Sequence, residues 1–182
     1  ARHSRKSLYG PQGTGLLLCG QPGKPLLCGG TGSQSALLEM PAQLPDRHEA
    51  GTANVPGIAG LAAGAALVRS VGPERILAHE RQLIAELARA LEREPRIECF
   101  TDPAQTGVLS VRIEGIPCEK AAEALAQAGV AVRAGLHCAP LAHESAGTLE
   151  TGTLRASFSV FNREEEVETF LGAVEEVCRG KS

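Results

Sequence analysis

Apolar positions follow two regimes along the chain. Before about residue 50 they come as short runs cut by glycine and proline; beyond it they recur with the periods of helices and strands. Residues 9–33 alternate YGPQGTG, CGQPGKP and CGGTGS with runs such as that at 16–19, which predicts brief strands joined by tight turns in a sheet-forming region. In 56–71, Ile58, Leu61, Ala62, Ala65 and Val68 stand at helical spacing, with small residues elsewhere that would let another element approach closely, and predict a buried helix. After Gly72-Pro73, a stripe of Ile76, Leu77, Leu83, Ile84, Leu87 and Leu91 runs to about Glu94 against a Glu- and Arg-rich face, predicting an amphipathic helix that links two domains.

Past Pro95 the period changes. Residues 96–100 and 108–113 read as strands, 117–128 as a helix with proline near its start and Gly129 after its end, and 130–133 as a short strand. Residues 153–160 alternate strictly, with Arg155 on the polar face. The last helix is expected to begin at Asn162, capped by that side chain with Glu165 returning the bond, and to bury Val167, Phe170, Leu171, Val174 and Val177. Strand, strand, helix, strand, strand, helix makes a small α+β layer of helices over a mostly antiparallel sheet. The connection 134–152 is long for one without structure, and such loops usually carry function.

Composition narrows the classes. The 182 residues are 43% hydrophobic, enough to bury a core and to make one domain or two small ones. With no Trp, one Tyr and four Phe, and a net charge of -3 without a basic stripe, nucleic acid is not an expected partner. No apolar run is long enough to span a bilayer, and the basic ARHSRK start lacks a signal-peptide core, so a cytoplasmic location and no membrane partner are expected. Six scattered cysteines without a C-x-x-C pair suit a reducing compartment and argue against a disulfide scaffold or a structural zinc site. The chain opens with Ala and soon enters a Gly-rich motif, which suggests a fragment or processed piece.

Four constellations could carry chemistry. Cys138 lies between His137 and Ala139, near Arg133 and His143, on a Gly- and Pro-bounded loop. Nearby positive charge favours a thiolate, so this could be a nucleophile, or an ordinary loop cysteine beside solvated histidines. A metal reading through Cys138, His137 and His143 is weaker, because adjacent residues seldom face one ion. Lys6 precedes the glycine-rich GPQGTG; it could form a Schiff base with a cofactor or be a surface lysine. GGTGS and EAGTAN, the latter with Gly51, Thr52 and Asn54, place hydroxyls and backbone N–H groups ahead of a helix, where a phosphate could bind or ordinary caps could form. These strings match neither the Walker pattern nor the dinucleotide fingerprint. Arg155 in GTLRAS could hold a carboxylate with its guanidinium fork, or make a surface ion pair.

KSLYGPQGTG, GGTGS, HEAGTANVPGIAGLAAG, RAGLHCAPLAH and GTLRASFSVFNREEE, in this order from Lys6 to the last helix, resemble the cysteine desulfurase and selenocysteine lyase branch of the class V aminotransferases. The resemblance implies the C-terminal part of a pyridoxal-phosphate-dependent transferase fold of fold type I, mixed α/β and α+β. Residues 1–71 would be a remnant of the large cofactor-binding domain, 72–94 the linking helix and 95–182 the small α+β domain. It implies pyridoxal 5'-phosphate held by Lys6, which also moves the substrate α-proton, with Gly51 and Thr52 at the cofactor. Cys138 would be the nucleophile that takes sulfur from L-cysteine and releases alanine, His137 its tuning or proton-relay neighbour, and Arg155 with Asn54 the substrate-binding groups. Because the residue matching Thr52 reaches the other subunit's cofactor in this family, a homodimer is implied. A sulfur-acceptor protein and iron-sulfur cluster assembly are further expectations.

Two departures stand out. Ser4-Arg5 precede Lys6 where the family usually has Gly-His, and the half carrying the ring-stacking His and the acidic partner of the pyridine nitrogen is not in this chain. The same motifs would also suit a selenocysteine lyase or another lyase with this cofactor. A truncated non-catalytic module that dimerises or binds a partner is the reading from a different class.

Overall fold

The structure, a computed structural model, describes residues 2–3 and 8–180. It divides into two units, Ala1–Gly72 and Pro73–Ser182.

In the first unit, strand β1 (Arg2–His3) pairs antiparallel with β2 (Gly15–Leu16), and helix α1 runs over Val55–Val71. The expected succession of strands in residues 9–33 reduces to β2. A strand needs a ladder partner, and beyond Leu16 the leucine run has none among the described residues. Its leucines are exposed accordingly: Leu18 at 88% and Leu26 at 99%. Helix α1 forms where expected, started by Asn54, whose side-chain oxygen accepts from Gly57 N at 3.1 Å, and by an early proline. It is not the buried helix its spacing predicts, because only Gly57, Leu61 and Gly64 are buried and Ile58 is half exposed. Its small residues do admit a neighbour. A Cβ on Gly60 would stand 2.7 Å from Pro11 Cδ, and one on Gly64 would meet the Leu8 carbonyl, so residues 8–14 lie directly on the helix backbone.

The second unit is built on a four-stranded antiparallel sheet of order β3-β4-β6-β5, with β3 Ile97–Phe100, β4 Val108–Ile113, β5 Arg133–Gly135 and β6 Thr153–Ser157. Helices α2 (Pro73–Leu91), α3 (Cys118–Gln127) and α5 (Glu164–Cys178) contribute to the same core as the sheet, where Leu83, Leu87, Leu109, Leu125, Leu154 and Val167 are fully buried. The stretch expected as a linking helix thus forms part of this core, and the boundary between the units falls at Gly72.

Local differences have local causes. The strand expected at 130–133 begins at Arg133, since Val130 N turns to Leu125 O at 2.8 Å and closes the end of α3. The alternation expected to run to residue 160 ends as strand at Ser157, opposite Val108 where its antiparallel partner β4 begins. Asn162 does not cap α5; its side-chain oxygen accepts from Ser159 N at 2.8 Å, while Glu166 accepts from Arg163 N at 2.8 Å and performs the return bond expected of Glu165. The long loop holds a helix, α4 (Pro140–Ser145), started by its proline.

Candidate functional site

Strand β5 is a three-residue edge strand, and the chain leaves it through a turn closed by Ala139 N donating to Leu136 O at 2.9 Å. Both central residues have positive φ, His137 at 53° and Cys138 at 61°, the pattern of a type I′ turn filled by residues other than glycine. Each such residue costs about 1–3 kcal/mol and persists only when its surroundings hold it. The result presents Cys138 exposed at the tip, just before Pro140 starts α4. Arg133 reaches along the same segment and donates from Nη2 to Cys138 Sγ at 3.7 Å.

Arg155 stands directly opposite Arg133 in the β5–β6 register and opposite Ser110 on the other side. Like charges facing each other across a ladder repel. Arg155 is half-buried, and its Nε is buried without a hydrogen-bond partner. Two arginines paired across the ladder, one with a buried N–H to spare, suit a bound carboxylate. His137 borders the same place; its Nε2 bonds Thr153 Oγ1 at 3.1 Å, and its Nδ1 is buried and unpartnered. Burial first, then the charges of Arg155 and His143, hold the His137 pKa below its ordinary value, so the ring is neutral at pH 7.

The other cysteines differ in chemistry. Burial, reinforced by Glu92, pushes the Cys99 thiol up to about 11, and burial raises those of Cys118 and Cys178. Cys118 also spends its S–H on the Thr151 carbonyl at 3.2 Å.

Of the residues singled out in the sequence, the second unit gathers Arg133, His137, Cys138 and Arg155. Gly51, Thr52 and Asn54 belong to the first unit, and Lys6 lies outside the described residues. Asn54, expected at the substrate, uses its side-chain oxygen to cap α1. Gly51 turns at φ 89°, and no atom stands within 4 Å of where its Cβ would be, so a group can approach its backbone beside the exposed Thr52 hydroxyl. An open glycine turn and a free-standing hydroxyl ahead of a 17-residue helix fit the phosphate of the implied cofactor. Sequence reasoning missed Thr148 and Thr153; only their nearness to His137 in the LHCAPLAH segment could have drawn attention to them. No group of three or more His, Cys, Asp or Glu among the described residues is placed to hold a metal ion.

The sequence profile of the class-V aminotransferases matches residues 2–170. The chain belongs to that family. Among curated proteins, this class-V aminotransferase chain is 36% identical to a probable cysteine desulfurase of Xylella fastidiosa over 92% of its own length and 41% of the relative's. It is 34% identical to a probable cysteine desulfurase of Methanothermobacter thermautotrophicus over 95% and 46% of the two chains. Among solved structures, the cysteine desulfurase CsdA of Escherichia coli in an S-sulfonic acid form superposes with a TM-score of 0.85 at 29% identity, over 97% of this chain and 45% of that one. The apo cysteine desulfurase of Thermococcus onnurineus NA1 gives 0.76 at 35% identity, over 86% and 40%. The chain therefore spans less than half the length of these relatives, and its mixed α/β and α+β architecture is that of part of a fold-type-I transferase.

Proposed function

We propose that this class-V aminotransferase chain carries the sulfur-accepting half of a cysteine desulfurase, in which Cys138 takes the sulfur of L-cysteine and alanine is released. The observation that supports this best is the Cys138 sulfur, exposed on a strained turn 3.7 Å from Nη2 of Arg133, whose ladder partner is Arg155. The opposed arginines bind the substrate carboxylate, Arg155 through its spare Nε N–H, and so orient the substrate sulfur toward the turn. Cys138 Sγ then forms an S–S bond with that sulfur as the substrate Cβ–S bond breaks. The bonding pair stays with carbon, and proton uptake there completes alanine. His137, next to Cys138 in the chain and held neutral, has an unpartnered Nδ1 that could take up a proton.

Pyridoxal phosphate, when bound, supplies the electron sink that makes the substrate Cα proton acidic and the C–S bond labile. Lys6 would hold it and move that proton, with Gly51 and Thr52 at its phosphate. A homodimer in which Thr52 serves the partner's cofactor, a protein that accepts the persulfide sulfur for iron-sulfur assembly, and a cytoplasmic setting complete the proposal. All six thiols are free, which suits a reducing compartment.

The test is mass spectrometry of the chain, and of a full-length relative carrying these motifs, after incubation with pyridoxal phosphate and L-cysteine. A gain of one sulfur atom on the Cys138 peptide, absent in Cys138→Ser, is expected, together with an absorbance band of the bound cofactor that is lost in Lys6→Ala. A full sulfide yield from the Cys138→Ser relative would overturn the role of that sulfur. Comparing alanine release from cysteine and selenocysteine separates desulfurase from selenocysteine lyase.

A further inference from the structure

Among the described residues, the buried polar residues are His143, Thr148 and Thr153, and each is linked to His137 of the Cys138 turn directly or through one neighbour. Burying a hydroxyl or an imidazole is costly unless it is hydrogen-bonded, and an apolar residue of the same size would serve a purely structural purpose as well. His143 sits in α4 and is 7% exposed; its Nδ1 bonds Thr148 Oγ1 at 2.8 Å, and Thr148 is 1% exposed. Thr148 N also donates to His143 O at 2.8 Å, so this pair is tied at both backbone and side chain. The His143 ring packs tilted against that of His137, centroids 5.6 Å apart, and His137 Nε2 is bonded to Thr153 Oγ1.

This supplies what the turn needs. Two adjacent residues with positive φ relax unless something fixes them, and the backbone bond across the turn is common to many turn shapes. The His137 ring is bonded to Thr153 and packed against His143, and His143 keeps its place through Thr148. We infer that His143 and Thr148 are positioning residues that, through the His137 ring, aim the Cys138 sulfur at Arg133. The inference builds on the reading of Cys138 as the acting sulfur, but its test involves no turnover, so the two can fail separately.

The readout is the ratio of Cys138 alkylation rates with iodoacetate and with iodoacetamide, measured by peptide mass spectrometry on the chain at low salt. Both reagents attack the same sulfur, so thiol ionisation cancels and the ratio reports the positive charge around it. In the folded chain a ratio about fivefold or more above that of the urea-unfolded chain is expected, and Arg133→Gln should lower it. His143→Gln and Thr148→Val, each shown folded by circular dichroism, should bring the ratio to within about twofold of the unfolded value, whereas Thr148→Ser, which keeps the hydroxyl, should preserve it. A role in stability alone would lower the melting temperature of both variants and leave the ratio at its wild-type value, and that result overturns the inference. So does a wild-type ratio no higher than that of the unfolded chain. If His143→Gln does not fold, Thr148→Val and Thr148→Ser decide.

Discussion

At the scale of single residues, burial sorts the thiols. A thiol with its pKa near 11 is ionised in only about one molecule in ten thousand at pH 7, so Cys99 should alkylate slowly in the native state. Limited treatment of the native chain with iodoacetamide should modify Cys138 and spare half-buried Cys99 and buried Cys118 and Cys178, with peptide mapping as the check; labelling of these three at a rate equal to Cys138 would contradict their packing. His137 gives a pH prediction. Because its folded-state pKa is lowered, the unfolded chain binds that proton more tightly. The stability it contributes is present above the ordinary histidine value, about 6.5, and is lost as pH falls through the lower folded-state value. The melting temperature should therefore drop more between pH 7 and pH 5 in wild type than in His137→Asn, and parallel curves would count against it. The Cys138 motif and Arg155 stood out in the sequence because their residue types are able to carry such chemistry. The hydroxyls of Thr148 and Thr153 were not, since nothing in a threonine's spacing reveals that it will be buried against an imidazole.

At the scale of elements, the second unit follows its sequence pattern because its strands pair with one another and its helices share one core. Leu109, fully buried on β4, tests that core: Leu109→Ala should cost about 2–5 kcal/mol in urea denaturation. Gly152 leads into β6 at φ 60°, and a Cβ there would stand 3.0 Å from both Cys118 Sγ and Gly135 Cα. Gly152→Ala should destabilise by about 1–3 kcal/mol for its backbone alone, read in the same denaturation experiment, and it presses on the strand that feeds the Cys138 turn. Boundaries were read less well than elements. Asn162 and Glu165 looked like a capping box, yet the Ser159 amide captured Asn162 and moved the helix start along the chain. Helix α4 escaped the pattern because its six residues are too few to show a period.

At the scale of the whole chain, the two units differ in how much they bury. The second has a continuous core from three helices and a sheet, whereas the first exposes Leu17, Leu18, Leu26, Leu27, Leu37, Leu38 and Leu44 in a stretch with almost no ladder bonds. The runs within residues 9–33 read as strands because a strand's partner is invisible in its own sequence. Limited proteolysis should cut first within residues 17–50 and leave residues 73–182 as the resistant product, as judged by mass spectrometry; early cleavage inside α2 or α5 would be inconsistent with the core described. The arginines facing each other from β5 and β6 have a consequence for anyone handling the protein. Two like charges paired across a ladder recruit a counter-ion from whatever the solution offers, so under the proposed function sulfate or phosphate in a buffer would compete with an amino acid for the same berth. Apparent substrate affinity would then depend on the choice of salt as much as on its concentration.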